Sequence, residues 1–216
     1  MFGPFEEPPA VWGIGRLVVD GEVTPWPVSQ ADIDDEADSH AARLAALGLG
    51  DGDLVLVVAM LSEAIHAVPI EKAAGRCGAL YSSADASPAD AFRVAALVRQ
   101  LEPKIVVGVN GAVVDGLRDL ERDPVDVLSS VETVLAADDD AAAALPDARR
   151  WRKLGPTSAW EMEPGRLAYD ADRWDVVADD SAELLVSSRA PRLTPAERLR
   201  TGVRGRVERP GTLVLD

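Results

Sequence analysis

The residues best suited to chemistry lie together near the carboxyl end of the chain, where a predicted strand ends. Ser187 and Ser188 close that strand, and Arg189, Arg192 and Thr194 follow it directly. An arginine guanidinium can hold a carboxylate or a phosphate with two parallel hydrogen bonds. We therefore treat these five residues as the candidate binding site, for a small anion. A plain surface loop is the alternative.

Other patterns associated with chemistry are weaker. His40, His66 and the single Cys77 give no zinc-ligand spacing, so no metal site is expected. We expect His40 on a helix surface and His66 to pack its helix. No Gly-x-Ser-x-Gly turn is present to carry a hydrolase nucleophile. Residues 108–111 follow a predicted strand and open a helix, as phosphate-binding turns do, but their spacing favours a structural turn.

Charge and composition exclude several classes of protein. The 216 residues carry a net charge of −15, which opposes the binding of nucleic-acid phosphates. The longest apolar run, Leu54 to Leu61, is too short to span a bilayer, and residues 1–9 have no pattern of a secretory leader. A single cysteine cannot form an internal disulfide. We therefore expect a cytoplasmic protein with no nucleic-acid partner and no membrane span.

Positive charge is concentrated near the carboxyl end. Residues 189–209 hold seven arginines and two glutamates, a net charge of +5, whereas the rest of the chain is strongly acidic. We expect this basic segment to fold back onto the acidic body, which attracts a tethered cationic segment. Binding of an acidic partner or of a phosphate by the same segment is the open alternative.

Hydrophobic periodicity predicts an α/β fold. Asp20-Gly21 indicates the turn of a hairpin over residues 16–24. Helical and strand patterns then alternate, which predicts a doubly wound, mostly parallel sheet with helices on both faces. The predicted helices cover residues 30–47, 63–77, 88–101 and 111–120, and the predicted buried strands cover 54–59, 79–82, 104–109 and 131–136.

The pattern changes after residue 145. We predict that residues 1–145 form the sheet domain and that residues 146–216 form an extension packed on it, rich in tryptophan, proline and arginine. Periodicity is weak over residues 146–178. The remaining expectations are a strand over 181–188, a short helix over 194–200, a strand over 212–215, an irregular arm over 1–15 and a solvated acidic loop over 138–140.

Five short motifs occur in an order that carries a resemblance. They are Trp26 after the hairpin, the helix segment His40-Ala-Ala-Arg43-Leu-Ala-Ala-Leu47, the turn Gly48-Leu-Gly50-Asp-Gly52-Asp53-Leu-Val55, the pair Gly78-Ala79, and Leu101-Glu-Pro103-Lys104-Ile-Val106. Together they resemble the N-terminal subdomain of AMP-forming acyl-CoA synthetases and related adenylate-forming enzymes. The resemblance covers residues 18 to about 120. It implies that family's α/β fold, and ATP, AMP or CoA as possible ligands.

A further match with the family ends abruptly, and the point where it ends is informative. Residues 178–188 resemble the family's approach to a Ser/Thr/Gly-rich loop that ends in Pro-Lys-Gly and cradles ATP phosphates with backbone N–H groups. Here residues 189–194 follow, with no lysine and with no glycine before Gly202. The resemblance therefore assigns the candidate binding site to a degenerate phosphate loop. The family's later motifs for adenine, ribose and a catalytic lysine are also expected to be missing.

Three hypotheses follow. The first is a non-catalytic, degenerate relative of these synthetases, a pseudoenzyme that binds a partner or a small ligand. The second is one subunit of a split AMP-forming ligase that another polypeptide completes. The third is an unrelated α/β protein that binds a small molecule. In each case a protein partner or a homo-oligomer is possible, and no catalytic residue is predicted.

Overall fold

Within residues 10–216, which the computed structural model describes, strands and helices alternate and then give way to strands alone. The strands are β1 (Val11–Val19), β2 (Glu22–Ser29), β3 (Leu54–Val58), β4 (Leu80–Ala84), β5 (Ile105–Val109), β6 (Thr133–Ala136), β7 (Arg149–Leu154), β8 (Thr157–Glu163), β9 (Arg166–Ala168), β10 (Trp174–Ala178), β11 (Glu183–Ser188), β12 (Leu199–Arg209) and β13 (Thr212–Leu215). The helices are α1 (Gln30–Ala46), α2 (Ala64–Arg76), α3 (Ala91–Leu101), α4 (Gly111–Asp119), α5 (Pro124–Leu128) and α6 (Asp139–Ala144).

The hairpin of β1 and β2 is confirmed, with Asp20 and Gly21 as its two-residue turn. Both residues have a positive φ, 52° and 80°, as a turn that matches strand twist requires. β1 begins at Val11, so the prediction of an irregular arm is wrong for residues 11–15. The rest of that predicted arm, up to residue 9, lies outside the described residues.

The α/β fold class is confirmed by the large sheet. Its eleven strands have the order β10-β11-β12-β13-β9-β8-β7-β6-β5-β3-β4. Pairing is parallel from β4 through β7 and antiparallel from β7 through β10. The parallel part contains the predicted alternation of strand and helix, and the sheet as a whole is mixed.

Helices cover both faces of the parallel strands. Leu56 and Val106 point into a core formed with α3, α4 and α6, whereas Val55 and Ile105 point into a core formed with α1 and α2. Neighbouring residues of a strand face opposite sides, so a strand covered on both sides is apolar at every position. None of the helices in the described part of the chain is long and apolar enough to cross a membrane.

Two predicted elements are wrong in the structure. The strand predicted over 79–82 as buried is β4 at the edge of the sheet, where Leu80 is 63% exposed and Tyr81 is 54% exposed. The helix predicted over 194–200 is absent from that described segment, and β12 begins there at Leu199. Hydrogen bonds from Ala196 N to Ser188 Oγ and from Arg198 N to Ser187 Oγ hold the segment extended.

The tryptophan-rich stretch is also more regular than its sequence suggests. Residues 146–178 contain β7 to β10, with β7 lying parallel to β6, so the sheet continues without interruption across residue 145. Trp151, Trp160 and Trp174 are each at most 2% exposed. Trp151 and Trp160 lie in the core formed with α1 and α2, and Trp174 lies in the core of the antiparallel strands. Large buried aromatic side chains supply much of the apolar area that such a region needs.

Candidate functional site

The candidate binding site lies on a loop that the two serines brace. β11 ends at Ser188 and the chain returns as β12, so residues 189–198 form the connection. Ser188 Oγ accepts a hydrogen bond of 2.9 Å from Ala196 N, and Ser187 Oγ accepts one of 2.9 Å from Arg198 N. The backbone N–H of Ser188 donates to the carbonyl of Ala196. Both hydroxyls are therefore used to hold the two ends of the loop together.

Arg192 connects this loop to the first turns of α1. Its side chain is only 4% exposed, and its Nη2 lies 2.7 Å from Asp35 Oδ2 and 2.8 Å from Glu36 Oε1. Its Nη1 donates to the carbonyl of Asp32 at 3.2 Å. The guanidinium also stacks over the ring of Trp174, with 4.6 Å between Cζ and the ring centroid. Two carboxylates of the protein thus occupy the group that would hold a ligand anion.

Glu36 is the hub of this buried cluster. It is 4% exposed, its Oε1 accepts from Trp174 Nε1 at 2.7 Å, and its Oε2 accepts from Thr157 Oγ1 at 2.9 Å. Burial raises the pKa of Glu36, against the opposing effects of Arg192, Trp174 and Thr157. A buried carboxylate of this kind needs all of its partners, since loss of any one leaves an unpaired polar group.

Thr194 and the backbone beside it complete the docking of the loop. Thr194 Oγ1 donates to the carbonyl of Pro27 at 2.7 Å, and Leu193 N donates to Asp32 Oδ2 at 3.3 Å. Asp32 is also the partner of the capping residue Ser29, whose N–H donates to Asp32 Oδ2 at 2.8 Å. The loop is therefore fixed to the N-terminal end of α1, where acidic side chains are favoured by the helix dipole.

Arg189 behaves differently from Arg192. Its Nη2 lies 2.8 Å from Asp175 Oδ1, with both side chains nearly half exposed, and its backbone N–H donates to the carbonyl of Arg173. Ion pairs as exposed as this one are worth little, about 1 kcal/mol or less. Of the two arginines in the candidate binding site, Arg189 is the one whose side chain solvent can reach.

A second arginine reinforces the contact between α1 and the carboxyl-terminal half. Arg173 Nε donates to Asp35 Oδ1 at 2.6 Å, and its Nη1 donates to Asp170 Oδ2 at 2.6 Å. These hydrogen bonds raise the pKa of Arg173 against the opposing effect of its burial. Against the opposing effect of burial, hydrogen bonds with Ser39 and Arg173 hold the pKa of Asp170 below its usual value. Within the basic segment 189–209, Arg192 pairs with Asp35 and Glu36 and Arg200 pairs with Asp20, so the predicted fold-back of this segment onto the acidic body is confirmed.

Little free space remains beside Arg192 and Thr194. The cavity between Trp26, Ile33, Trp174 and Arg192 has a volume of about 20 Å³, which is room for one water molecule. Sites for nucleotide-sized ligands occupy roughly 300–1,000 Å³. In the described structure, the five residues are thus close together in space but enclose no cavity of nucleotide size.

The other turn of interest, residues 108–111, is filled in a comparable way. Asn110 caps α4 through a hydrogen bond of 2.9 Å from Val113 N to its Oδ1. The N–H of Gly111, which has no partner within the helix, donates to both carboxylate oxygens of Asp138 at 3.0 Å. The prediction of a structural turn is confirmed, because a side chain of the protein takes the place that an anion would occupy.

Three smaller expectations have clear outcomes. His40 is wrong as a surface residue: it is 2% exposed, and its ring lies 5.3 Å from that of Trp160. His66 packs its helix as predicted, and its Nε2 donates to the carbonyl of Gly155 at 2.8 Å, because a carbonyl can only accept. For the predicted solvated acidic loop over residues 138–140, Asp139 and Asp140 are exposed as predicted, but Asp138 caps α6 and Asp139 begins it, so the prediction of a loop is wrong.

The histidines also show no sign of metal binding. Burial lowers the pKa of His66 to about 4, with Lys153 adding to the effect, and it lowers the pKa of His40 well below its usual value. No group of three or more His, Cys, Asp or Glu side chains across residues 10–216 is arranged to hold a metal ion. Both imidazoles therefore serve as neutral packing groups.

The residues that sequence reasoning missed are the partners of Arg192. Asp32, Asp35 and Glu36 lie three and four positions apart, so they share one face of α1. That spacing is visible in the sequence, but nothing in it points to an arginine 156 positions away.

Solved structures of known proteins share this architecture. An open conformation of 2-hydroxyisobutyryl-CoA ligase, in complex with 2-HIB-AMP and CoA, aligns over 95% of this chain with a TM-score of 0.69 and 16% identity. The Klebsiella oxytoca NpsA N-terminal subdomain, in complex with 3-hydroxyanthranilyl-AMSN, aligns over 94% with a TM-score of 0.62 and 14% identity. The fold is that of the N-terminal subdomain of the adenylate-forming acyl-CoA ligases. The predicted resemblance is confirmed at the level of fold.

The alignment covers only part of each of these solved chains. The chain spans 56% of the 2-hydroxyisobutyryl-CoA ligase chain and 61% of the NpsA chain. No family model matches the sequence. No curated protein matches it either. At 14–16% identity the alignment speaks for the fold, and function has to be argued from the site.

Proposed function

We propose that this chain is a non-catalytic relative of the adenylate-forming ligases, a pseudoenzyme that binds a partner or a small ligand without making an acyl-adenylate. In this proposal the degenerate phosphate loop is a structural clamp between α1 and the carboxyl-terminal strands. The observation that carries the proposal is the ion pairing of Arg192, whose guanidinium is held by Asp35 and Glu36 and is 4% exposed.

A phosphate at this loop would compete with contacts that the protein already makes. A nucleotide phosphate at this loop would need free donors, but Ser187, Ser188 and Thr194 are already engaged within the protein. It would also be placed beside the carboxylates that hold Arg192, which repel it. Displacing them leaves buried carboxylates without a partner, at a cost of about 3–5 kcal/mol. Phosphate binding in this position is therefore disfavoured.

The proposal is tested by isothermal titration of the purified protein with ATP, AMP and acyl-CoA, together with an assay for ATP-dependent thioester formation over a panel of carboxylic acids and CoA. We expect no heat of binding from ATP and no thioester. A protein that forms thioester at rates well above a boiled control would overturn the proposal.

The second candidate is one subunit of a split AMP-forming ligase. It takes its support from the extent of the structural match, since the chain spans 56% of the 2-hydroxyisobutyryl-CoA ligase chain. In this second proposal, another polypeptide supplies the remaining part of the ligase. Isolation of the protein from its native host under mild conditions tests it. Recovery of the chain alone argues against a split ligase, and a stoichiometric partner that confers thioester formation argues for it.

We also infer a reducing, cytoplasmic location. Cys77 is the only cysteine, and burial raises the pKa of its thiol, so it is a poor candidate for disulfide exchange.

A further inference from the structure

One edge of the large sheet lacks a neighbouring strand within residues 10–216. β4 is the last strand in the order, and it pairs only with β3. Leu80 N donates to the carbonyl of Asp53 at 2.8 Å, and the carbonyl of Ala84 accepts from Ala59 N at 3.1 Å. Backbone groups alternate in direction along a strand. The N–H and C=O groups of Tyr81 and Ser83 consequently point away from β3, towards solvent.

Across residues 10–216, this edge lacks most of the features that usually protect an exposed strand. Proteins block such edges with lysine, proline, a bulge or a covering segment. Residues 79–84 contain no charged residue and no proline, and the pairing of β4 with β3 has no bulge. Leu80 and Tyr81 are exposed there, at 63% and 54%. Residues 79–84 carry no charge, so no like charges would face each other between two copies paired along this strand.

We propose that two copies of this chain pair through β4 to form a dimer with one continuous sheet. In this arrangement the two β4 strands run antiparallel about a two-fold axis at Ser82. Tyr81 of one copy faces Ser83 of the other, and Leu80 faces Ala84. The outward N–H and C=O groups of Tyr81 and Ser83 then form four hydrogen bonds, because each facing pair exchanges two.

A second copy fits this edge because the pairing of two antiparallel β4 strands is symmetric about Ser82. The outward-pointing residues lie at equal distances on either side of Ser82, so each copy offers the donors and acceptors that the other needs. The nearest charged residue after the strand, Asp85, would face Ala79 of the second copy, so like charges do not meet. The edge is short, with five residues in β4, and a concentration-dependent dimer is therefore expected.

Sedimentation of the full chain over a concentration series tests the dimer. We expect the mass to rise from 22.9 kDa towards twice that value as concentration increases. Ser83→Pro removes an outward N–H while leaving the bonds to β3 in place, so this variant should stay at 22.9 kDa at every concentration, with an unchanged circular dichroism spectrum. A wild-type protein that remains monomeric throughout, or a Ser83→Pro variant that dimerises like wild type, overturns the proposal.

A cross-link tests the register without depending on the proline variant. In the proposed dimer the two Ser82 residues form a non-hydrogen-bonded pair with Cα atoms about 4.5 Å apart. That separation lies within the range of about 4.4–6.8 Å that a disulfide spans. In a Cys77→Ala background, Ser82→Cys should give a covalent dimer on oxidation, and Ser130→Cys, at an exposed serine elsewhere, should not. Equal cross-linking of the two variants, or none with Ser82→Cys, contradicts the pairing.

Discussion

Two turns at strand ends have the donors of a typical anion-binding site. In both turns, carboxylates of the protein occupy these donors, but they do so in different ways. At residues 108–111, where β5 ends, the N–H of Gly111 donates to Asp138. At residues 189–198, after β11, the guanidinium of Arg192 is taken by Asp35 and Glu36. In the first loop a carboxylate replaces a ligand anion at backbone donors. In the second, carboxylates neutralise the side chain that would have attracted one.

The difference between the loops is one of burial and distance. The first contact is partly buried and joins residues 27 positions apart. The second joins residues 156 positions apart and includes Glu36, which is 4% exposed. Buried charges interact strongly and are costly to leave unpaired, whereas exposed ones are screened. The comparison therefore predicts that the loop after β11 depends far more on its carboxylates than the loop after β5 does.

The largest effect should come from Glu36→Ala. The change removes one carboxylate from Arg192 and leaves Trp174 Nε1 and Thr157 Oγ1 without their acceptor. We expect the free energy of unfolding in urea to fall by about 3–5 kcal/mol. Glu36→Gln, which keeps the shape and one acceptor, is the matched control and should cost less. A loss below 1 kcal/mol for Glu36→Ala would show that the cluster is not a clamp.

Glu36 should also contribute to the pH dependence of the free energy of unfolding. Burial raises the pKa of Glu36 in the folded state above its ordinary value of 4.5, so the folded state binds the proton more tightly than the unfolded chain does. The resulting stabilisation is fully present below pH 4.5 and is lost as pH rises through the folded pKa. The difference between the free energies of unfolding of wild type and Glu36→Gln should therefore shrink or change sign as pH rises above 4.5. A constant gap between them contradicts the raised pKa.

Asp138→Ala should have an intermediate effect. It removes the side chain that caps α6 and accepts from Gly111 N, and loss of a helix cap costs about 1–2 kcal/mol. Asp138→Asn keeps an acceptor oxygen and should be close to wild type. Thermal unfolding of the three proteins makes the comparison, and equal losses for both variants would assign the effect to charge instead of capping.

Thr194→Val should lower the free energy of unfolding by less than Asp138→Ala does. The substitution removes the hydrogen bond to the carbonyl of Pro27 while keeping the side-chain volume, so we expect a loss of about 1 kcal/mol in urea unfolding. Thr194→Ser retains the hydroxyl and serves as the control. A Thr194→Val variant as stable as wild type would mean that the loop is held without this bond.

Arg189→Ala should have the smallest effect. Its partner Asp175 is nearly half exposed, as is Arg189 itself, so the pair is screened by solvent. We expect a change in unfolding free energy within about 0.5 kcal/mol. A loss as large as that from Glu36→Ala would remove the distinction between a buried and an exposed arginine on which the comparison depends.

The parallel half of the fold was predictable because its physics is local. Strands buried on both faces must be apolar at every position, as in Leu54 to Val58, and the helices between them repeat apolar residues every three or four positions. β7 to β10 were not predictable in the same way. Their sequence interleaves arginine with tryptophan, and Arg152 is buried by donating to the carbonyl of Ala136 and pairing with Asp139.

Only the part of the candidate site that lies in one stretch of sequence was predictable. Arg192 and its neighbours are visible because they break a recognisable loop pattern, which is a local feature of the sequence. Asp35 and Glu36 form their contacts only after the sheet has brought α1 beside the loop. The extended course of residues 194–198 has the same origin, since bonds to Ser187 and Ser188 override the local preference for a helix after Thr194-Pro195.

Side chains of the protein occupy the loop after β11, and we propose that no nucleotide binds there. A titration of isotopically labelled protein with Mg²⁺-ATP, followed through the backbone amide signals of Ser187 to Thr194, tests this most directly. We expect these signals to stay in place at millimolar ATP, as they do in a matched titration with sodium chloride. Saturable shifts confined to this loop, with release of Arg192 from Glu36, would contradict it.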